Sequence, residues 1–127
     1  MSEAPRVRIE PFSTEGTSGD WTVRWKLINE GDRPIRLLSA QHPHSQFRTP
    51  DTSLDRDVAP REETDIVLPV RFTELPGVIV ENAFLILLFR EIGTWRLLAR
   101  VRVTAGARGE PLAGQSVVVT MQRVGTP

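Results

Sequence analysis

Apolar and polar residues alternate with a period of two along most of this chain, in segments separated by clusters of Gly, Pro, Asp and Asn. Successive side chains of a strand point to opposite faces, so such alternation predicts strands with one buried face. The cleanest case is Trp21 to Asn29, where Trp21, Val23, Trp25 and Leu27 share a face opposite Thr22, Arg24 and Lys26. Further strands are expected at Arg6 to Phe12, Ile35 to Ala40, Thr64 to Phe72, Trp95 to Thr104 and about Gln115 to Val124. Pro69 cannot donate to a ladder, which puts the Thr64 to Phe72 strand at an edge or turns its residue-69 nitrogen away from the neighbour. The polar stretch Gln41 to Asp57 reads as a long loop with a short extended piece at His44 to Arg48. Ala105 to Gly114 reads as a Gly/Pro loop, and residues 1–5 and 125–127 as frayed ends.

One segment breaks the alternation. Ala83-Phe84-Leu85-Ile86-Leu87-Leu88-Phe89 is apolar on both phases, inside a strand expected from about Asn82 to Arg90. Glu91-Ile92-Gly93-Thr94 then closes a hairpin to the strand at Trp95. If Leu85, Leu87 and Phe89 point inward, then Phe84, Ile86 and Leu88 point outward, joined by Leu98 across the hairpin and by Val118. The pattern alone allows the opposite phase equally. Either set needs a cover, from this chain or from another molecule, because an exposed cluster of that size marks an interaction site.

No 3.6-residue apolar period runs long enough for a helix. The fold expected is therefore all-β, a two-sheet immunoglobulin-like sandwich of about seven to eight strands, with a β-barrel as the alternative. A single domain over residues 1–127 is expected, since no linker or repeat interrupts the chain. Trp21, Trp25 and Trp95 fall in phase with aliphatic residues and read as core anchors. The segment Trp-Thr-Val-Arg-Trp-Lys-Leu-Ile-Asn-Glu-Gly from Trp21, followed by Arg33-Pro34-Ile35-Arg36-Leu37, resembles the start of bacterial immunoglobulin-like modules. Leu54 to Val70 is similar to the acidic turn and apolar strand of the same modules. Their Pro-Gly-Glu turn reads Pro60-Arg61-Glu62 here. The resemblance covers roughly residues 21–72 and implies a fold rather than an activity.

Composition removes several classes of function. The chain has no cysteine, so disulfides and thiolate chemistry are excluded. The 16 basic and 16 acidic residues balance, which gives no overall attraction to nucleic acid. Lys26 is the single lysine among those 16 basic residues. The first residues, Met-Ser-Glu-Ala-Pro, show no signal-peptide pattern, and no apolar run is long enough for a membrane helix, so a cytoplasmic location without membrane contact is expected. Arginines at 6, 8, 24, 96, 100 and 102 lie on polar strand phases, where Glu10, Asp65, Glu81 and Glu91 are available for cross-strand ion pairs.

Candidate chemistry is thin. His42 and His44, two residues apart, would share a face of an extended segment and could chelate a metal, but zinc takes at least three protein ligands and the spacing offers no third. Asp51 to Asp57 with Glu62 echoes a calcium loop, yet Arg56 stands where that loop needs glycine. Ser39, His42, His44 and Asp51 name a triad only on paper, without a nucleophile elbow. The expectation is a non-enzymatic interaction module with no metal and no cofactor. It would self-associate as a homodimer, or bind another protein, through Phe84, Ile86, Leu88, Leu98 and Val118. The alternatives are an inhibitor-like or adaptor module using the 41–57 loop, and a metal-binding domain or enzyme using His42 and His44.

Overall fold

The computed structural model describes residues 4–125, so the outermost of the ends expected to fray, residues 1–3 and 126–127, lie outside the described residues. Within that range every regular element is a strand: β1 (Val7–Thr17), β2 (Gly19–Asn29), β3 (Ile35–His44), β4 (Phe47–Val58), β5 (Glu63–Phe72), β6 (Ile79–Arg90), β7 (Thr94–Ala105), β8 (Pro111–Ala113) and β9 (Val118–Val124). The all-β expectation holds. Pro5, expected to be frayed, is instead buried.

The strands form one antiparallel path in the order β1-β2-β5-β4-β3-β6-β7-β8, with β9 also on β7. The path curls until its two ends meet, where Thr14 Oγ1 of β1 donates to the Pro111 carbonyl of β8 at 2.8 Å. It is not uniformly bonded. The β2–β5 ladder runs from Gly19 opposite Phe72 to Ile28 opposite Glu63. The β4–β5 junction, by contrast, is the single pair Arg48 opposite Arg71. The fold is thus one curled sheet rather than two separate ones, and its two parts or leaves, β1-β2-β5 and β4-β3-β6-β7 with β8 and β9, share one strand bridge among the described residues. Pro69 sits on the side of β5 where that ladder is missing, which is where a residue without an amide proton costs least.

Each leaf contributes its apolar phase to one core. β2 supplies Trp21, Val23, Trp25 and Leu27, β5 supplies Ile66, Leu68, Val70 and Phe72, and β7 supplies Trp95, Leu97, Ala99, Val101 and Val103. The three tryptophans are core anchors, each with its indole N–H bonded: Trp21 to the Phe72 carbonyl, Trp25 to His42 and Trp95 to the Glu91 carbonyl.

Residues 41–57 are not the loop that their polarity suggests. β3 continues to His44 and β4 begins at Phe47, so the segment is a hairpin that turns at Ser45 and Gln46. Its composition hides it, because β4 exposes Arg48, Pro50, Asp51, Ser53, Asp55, Arg56 and Asp57 and buries only Phe47, Thr49 and Val58. An edge strand with one inward residue per several outward ones carries almost no apolar alternation. The Gly/Pro loop at 105–114 likewise contains the short strand β8, and the last strand begins at Val118 rather than Gln115.

Candidate interaction surface

The β6–β7 hairpin settles the phase of the doubly apolar strand. Arg90 pairs with Thr94, so Phe89 lies opposite Trp95, Leu87 opposite Leu97 and Leu85 opposite Ala99. These six and Ala83 are buried, the aliphatic ones completely. Phe84, Ile86 and Leu88 therefore take the outer face, in register with Arg100, Leu98 and Arg96. The signal for this phase lies in the chain itself. Counting back through the turn at Glu91 to Thr94, from the arginine-bearing phase of β7, places Phe84, Ile86 and Leu88 on the same side as those arginines.

The outer face of the second leaf is built in rows. One row runs Thr120, Leu98, Ile86, Gln41 across β9, β7, β6 and β3. The next runs Gln122, Arg96, Leu88, Ser39, Ser53, and on the other side Val118, Arg100 and Phe84 align. Phe84, Ile86, Leu88 and Leu98 are each half-buried by their in-plane neighbours, and Val118 is 51% exposed. None of the five belongs to the core cluster or packs against it. Residues 41–57 extend the sheet beside this face, and β9 extends it at the other end.

Arginines frame the apolar centre. Arg36 and Arg90 lie in the row beyond Leu88. Arg36 is held by Asp55 at 2.7 Å and Asp57 at 2.9 Å, whose hydrogen bonds and charge, Asp57 foremost, raise it above its ordinary value. Arg102 binds Glu81. Arg90, Arg96 and Arg100 make no ion pair among the described residues. A shallow depression lined by Glu81, Asn82, Arg100, Arg102, Ser116 and Val118 closes the face where β6 bulges.

The first leaf presents a different exterior. Arg24 pairs with Asp65 at 2.9 Å, Lys26 with Glu63 at 3.7 Å, and Arg8 with Glu30 at 3.7 Å. The Lys26 ammonium also lies 4.6 Å from the centre of the exposed Phe12 ring. Of the expected cross-strand pairs, Arg24–Asp65 forms on this leaf and Arg102–Glu81 on the other, while Arg8 pairs with Glu30 instead, and Arg6, Arg96 and Arg100 make no ion pair among the described residues.

The two histidines part company. His42 is fully buried on β3, and both ring nitrogens are engaged. Its Nε2 accepts the Trp25 indole N–H at 3.0 Å. Its Nδ1 lies 2.8 Å from Thr49 Oγ1, whose own proton goes to the Pro69 carbonyl at 2.6 Å. The hydroxyl has one proton, so Nδ1–H must donate to Thr49, which fixes the neutral Nδ1–H tautomer. Burial lowers the His42 pKa from 6.5 to about 3. His44 is only half-buried and accepts the Gln46 amide proton instead. The pair does not converge on a metal position, and among the described residues no three His, Cys, Asp or Glu side chains gather into one. Ser39 aligns with Leu88 on the outer face while His42 points inward, so the paper triad does not assemble. Asp55 and Asp57 bind Arg36, and Glu62 caps the Ala59 amide, so the calcium-loop carboxylates do not converge.

Sequence reasoning missed the role of Asn29, which it saw as the end of a strand. Its buried side chain donates to the carbonyls of Arg33, Val58 and Ala59 and accepts from the Gly31 amide. This ties the β2–β3 turn to the β4–β5 turn. An asparagine ending a strand on its apolar phase was the available signal.

Among the described residues no helix is long and apolar enough to cross a membrane. No family model matches the chain, and neither a curated protein nor a solved structure does.

Proposed function

We propose that this chain is a non-enzymatic protein-interaction module whose working surface is the outer face of β3, β6, β7 and β9, centred on Phe84, Ile86, Leu88 and Leu98. The observation that carries the reading is the contrast between the two exteriors. The β1-β2-β5 face carries the ion pairs Arg24–Asp65 and Lys26–Glu63 at its middle, whereas the other face sets Arg90, Arg96 and Arg100, without ion pairs among the described residues, around the apolar centre Phe84, Ile86, Leu88 and Leu98. Burying large apolar side chains against a partner contributes about 1.5–3 kcal/mol each. The arginines select a partner with an apolar strip flanked by carboxylates, because opposite charge steers association and like charge penalises it. A second copy docked face to face would set arginine against arginine, so a different, acidic protein is the better occupant.

The scaffold for this surface is an immunoglobulin-like sandwich in our reading. In such sandwiches the first, second and fifth strands share one sheet and the third, sixth and seventh the other. Strands β1, β2 and β5 form one leaf and β3, β6 and β7 belong to the second, which supports the reading, while β4 departs from the constant-type arrangement by pairing with β3. The adaptor alternative would use residues 41–57 as the β3–β4 hairpin rather than as a loop.

The test is affinity capture with the wild-type chain, Ile86→Asp and Arg96→Glu/Arg100→Glu. A binder retained by the wild type, released by salt and lost with both variants is expected. A binder indifferent to both would end the proposal for this face, and recovery of the chain itself would reassign the face to self-association.

A further inference from the structure

Strand β9 carries an inference independent of the face. An exposed strand edge is a template for another strand, and proteins blunt their edges with proline, charge or bulges. The other edges of this sheet are blunted or, in β8, only three residues long and opened by Pro111. β1 has Pro11, Glu10, Glu15 and a register shift between Pro11 and Ser13. β5 has Pro69, and Arg56 reaches across to donate to the Asp65 carbonyl at 2.6 Å. β4 has Asp51, Asp55 and Asp57, with Asp55 in the left-handed region at φ 53°. β9 has a single charge and neither of the other two devices. Its seven residues pair with β7 without interruption, from Thr94 opposite Val124 to Arg100 opposite Val118. It contains no proline and no acidic residue, and Arg123 is its one charge. Val118 and Val119, on opposite faces, are 51% and 41% exposed. β9 pairs with β7 alone, so its second edge is hydrogen-bonded to no other strand among the described residues.

We infer that β9 pairs antiparallel with β9 of a second copy about a twofold axis, joining two second leaves into one continuous sheet. Strand addition draws its affinity from main-chain hydrogen bonds, which identical edges supply to each other. The register that uses the whole strand is centred on Met121. It sets Val118 opposite Val124, Thr120 opposite Gln122, and Val119 opposite Arg123. The sequence suits that pairing, because the single charge meets a valine rather than its own copy. The two Arg123 residues are offset by about four positions, roughly 13 Å at strand spacing, beyond the screening length of about 8 Å at physiological salt. The rows of the outer face then continue from one copy into the next, doubling the proposed partner surface without occluding it.

The experiment is molar mass by sedimentation over a dilution series, with amide hydrogen exchange read at β9. A monomer–dimer equilibrium is expected, in which the amides of 118–124 that point away from β7 gain protection as concentration rises. Val119→Lys sets like charges opposite each other at two symmetric places and should weaken the dimer by about tenfold, while Val119→Glu should tighten it by a similar factor. Ile86→Asp, on the face and away from the edge, should leave the dimer intact. A monomer at every concentration overturns the inference. So does a dimer lost with Ile86→Asp but indifferent to Val119→Lys, or one whose β9 amides stay unprotected.

Discussion

Ile92 occupies the left-handed region at φ 43°, in front of Gly93 at φ 105°, while its side chain is 64% exposed. A β-branched residue is strained there and contributes no core contact in return. Hairpins prefer Asn-Gly at such a position. Ile92→Asn is expected to stabilise the fold by about 1 kcal/mol in denaturant unfolding. His42 gives a pH-dependent outcome. Its pKa is about 3 folded against 6.5 unfolded, so between those values the unfolded chain binds the extra proton. The His42 contribution is then complete above pH 6.5 and is lost progressively as pH falls toward 3, by an amount on the order of a few kcal/mol. Stability measured from about pH 7 to about pH 4 should fall, and His42→Gln should flatten that slope while lowering stability at neutral pH. Local pattern does not reveal this role. A histidine two residues from another reads as a chelating pair until the strand carrying it is known to lie between Trp25 and Thr49.

At the scale of elements, neighbouring leucines on β6 should behave in opposite ways. Leu87 is completely buried, so Leu87→Ala should cost about 2–5 kcal/mol by calorimetry or denaturant unfolding. Leu88 faces outward in the arginine row, so Leu88→Ala should cost under about 1 kcal/mol. Similar losses at both positions would mean that the outer face is covered. The strands with one clean apolar phase, β2, β5 and β7, were legible from alternation because burial on one side alone leaves that imprint. β4 was not, since an edge strand facing solvent over most of its length is under no such selection. The candidate surface was legible as a set of residues, but its arginine frame was not. Arg36 and Arg90 join it only through the β3–β6 pairing, which no local pattern encodes.

For the molecule as a whole, the formal net charge of zero conceals an uneven distribution. Arg90, Arg96 and Arg100 concentrate positive charge on one exterior, and fields of that kind act over about a Debye length. The chain should therefore be retained on a cation exchanger near its own pI of 6.7, and Arg96→Gln/Arg100→Gln should elute at distinctly lower salt although its total charge has moved by only two. The two exteriors also differ in how tightly they are coupled. Among the described residues Arg48–Arg71 is the one strand bridge between the leaves, and side chains make the other links: Thr14 to the Pro111 carbonyl, Thr49 to the Pro69 carbonyl, Arg56 to the Asp65 carbonyl, Phe47 against Phe72 at 6.3 Å and His42 against Trp25. A book bound by one stitch opens as far as its pages are thick. With so few backbone links, part of a change in core volume is expected to go into the angle between the leaves, so that the curvature of the outer sheet becomes a quantity that mutation inside the core can tune from a distance.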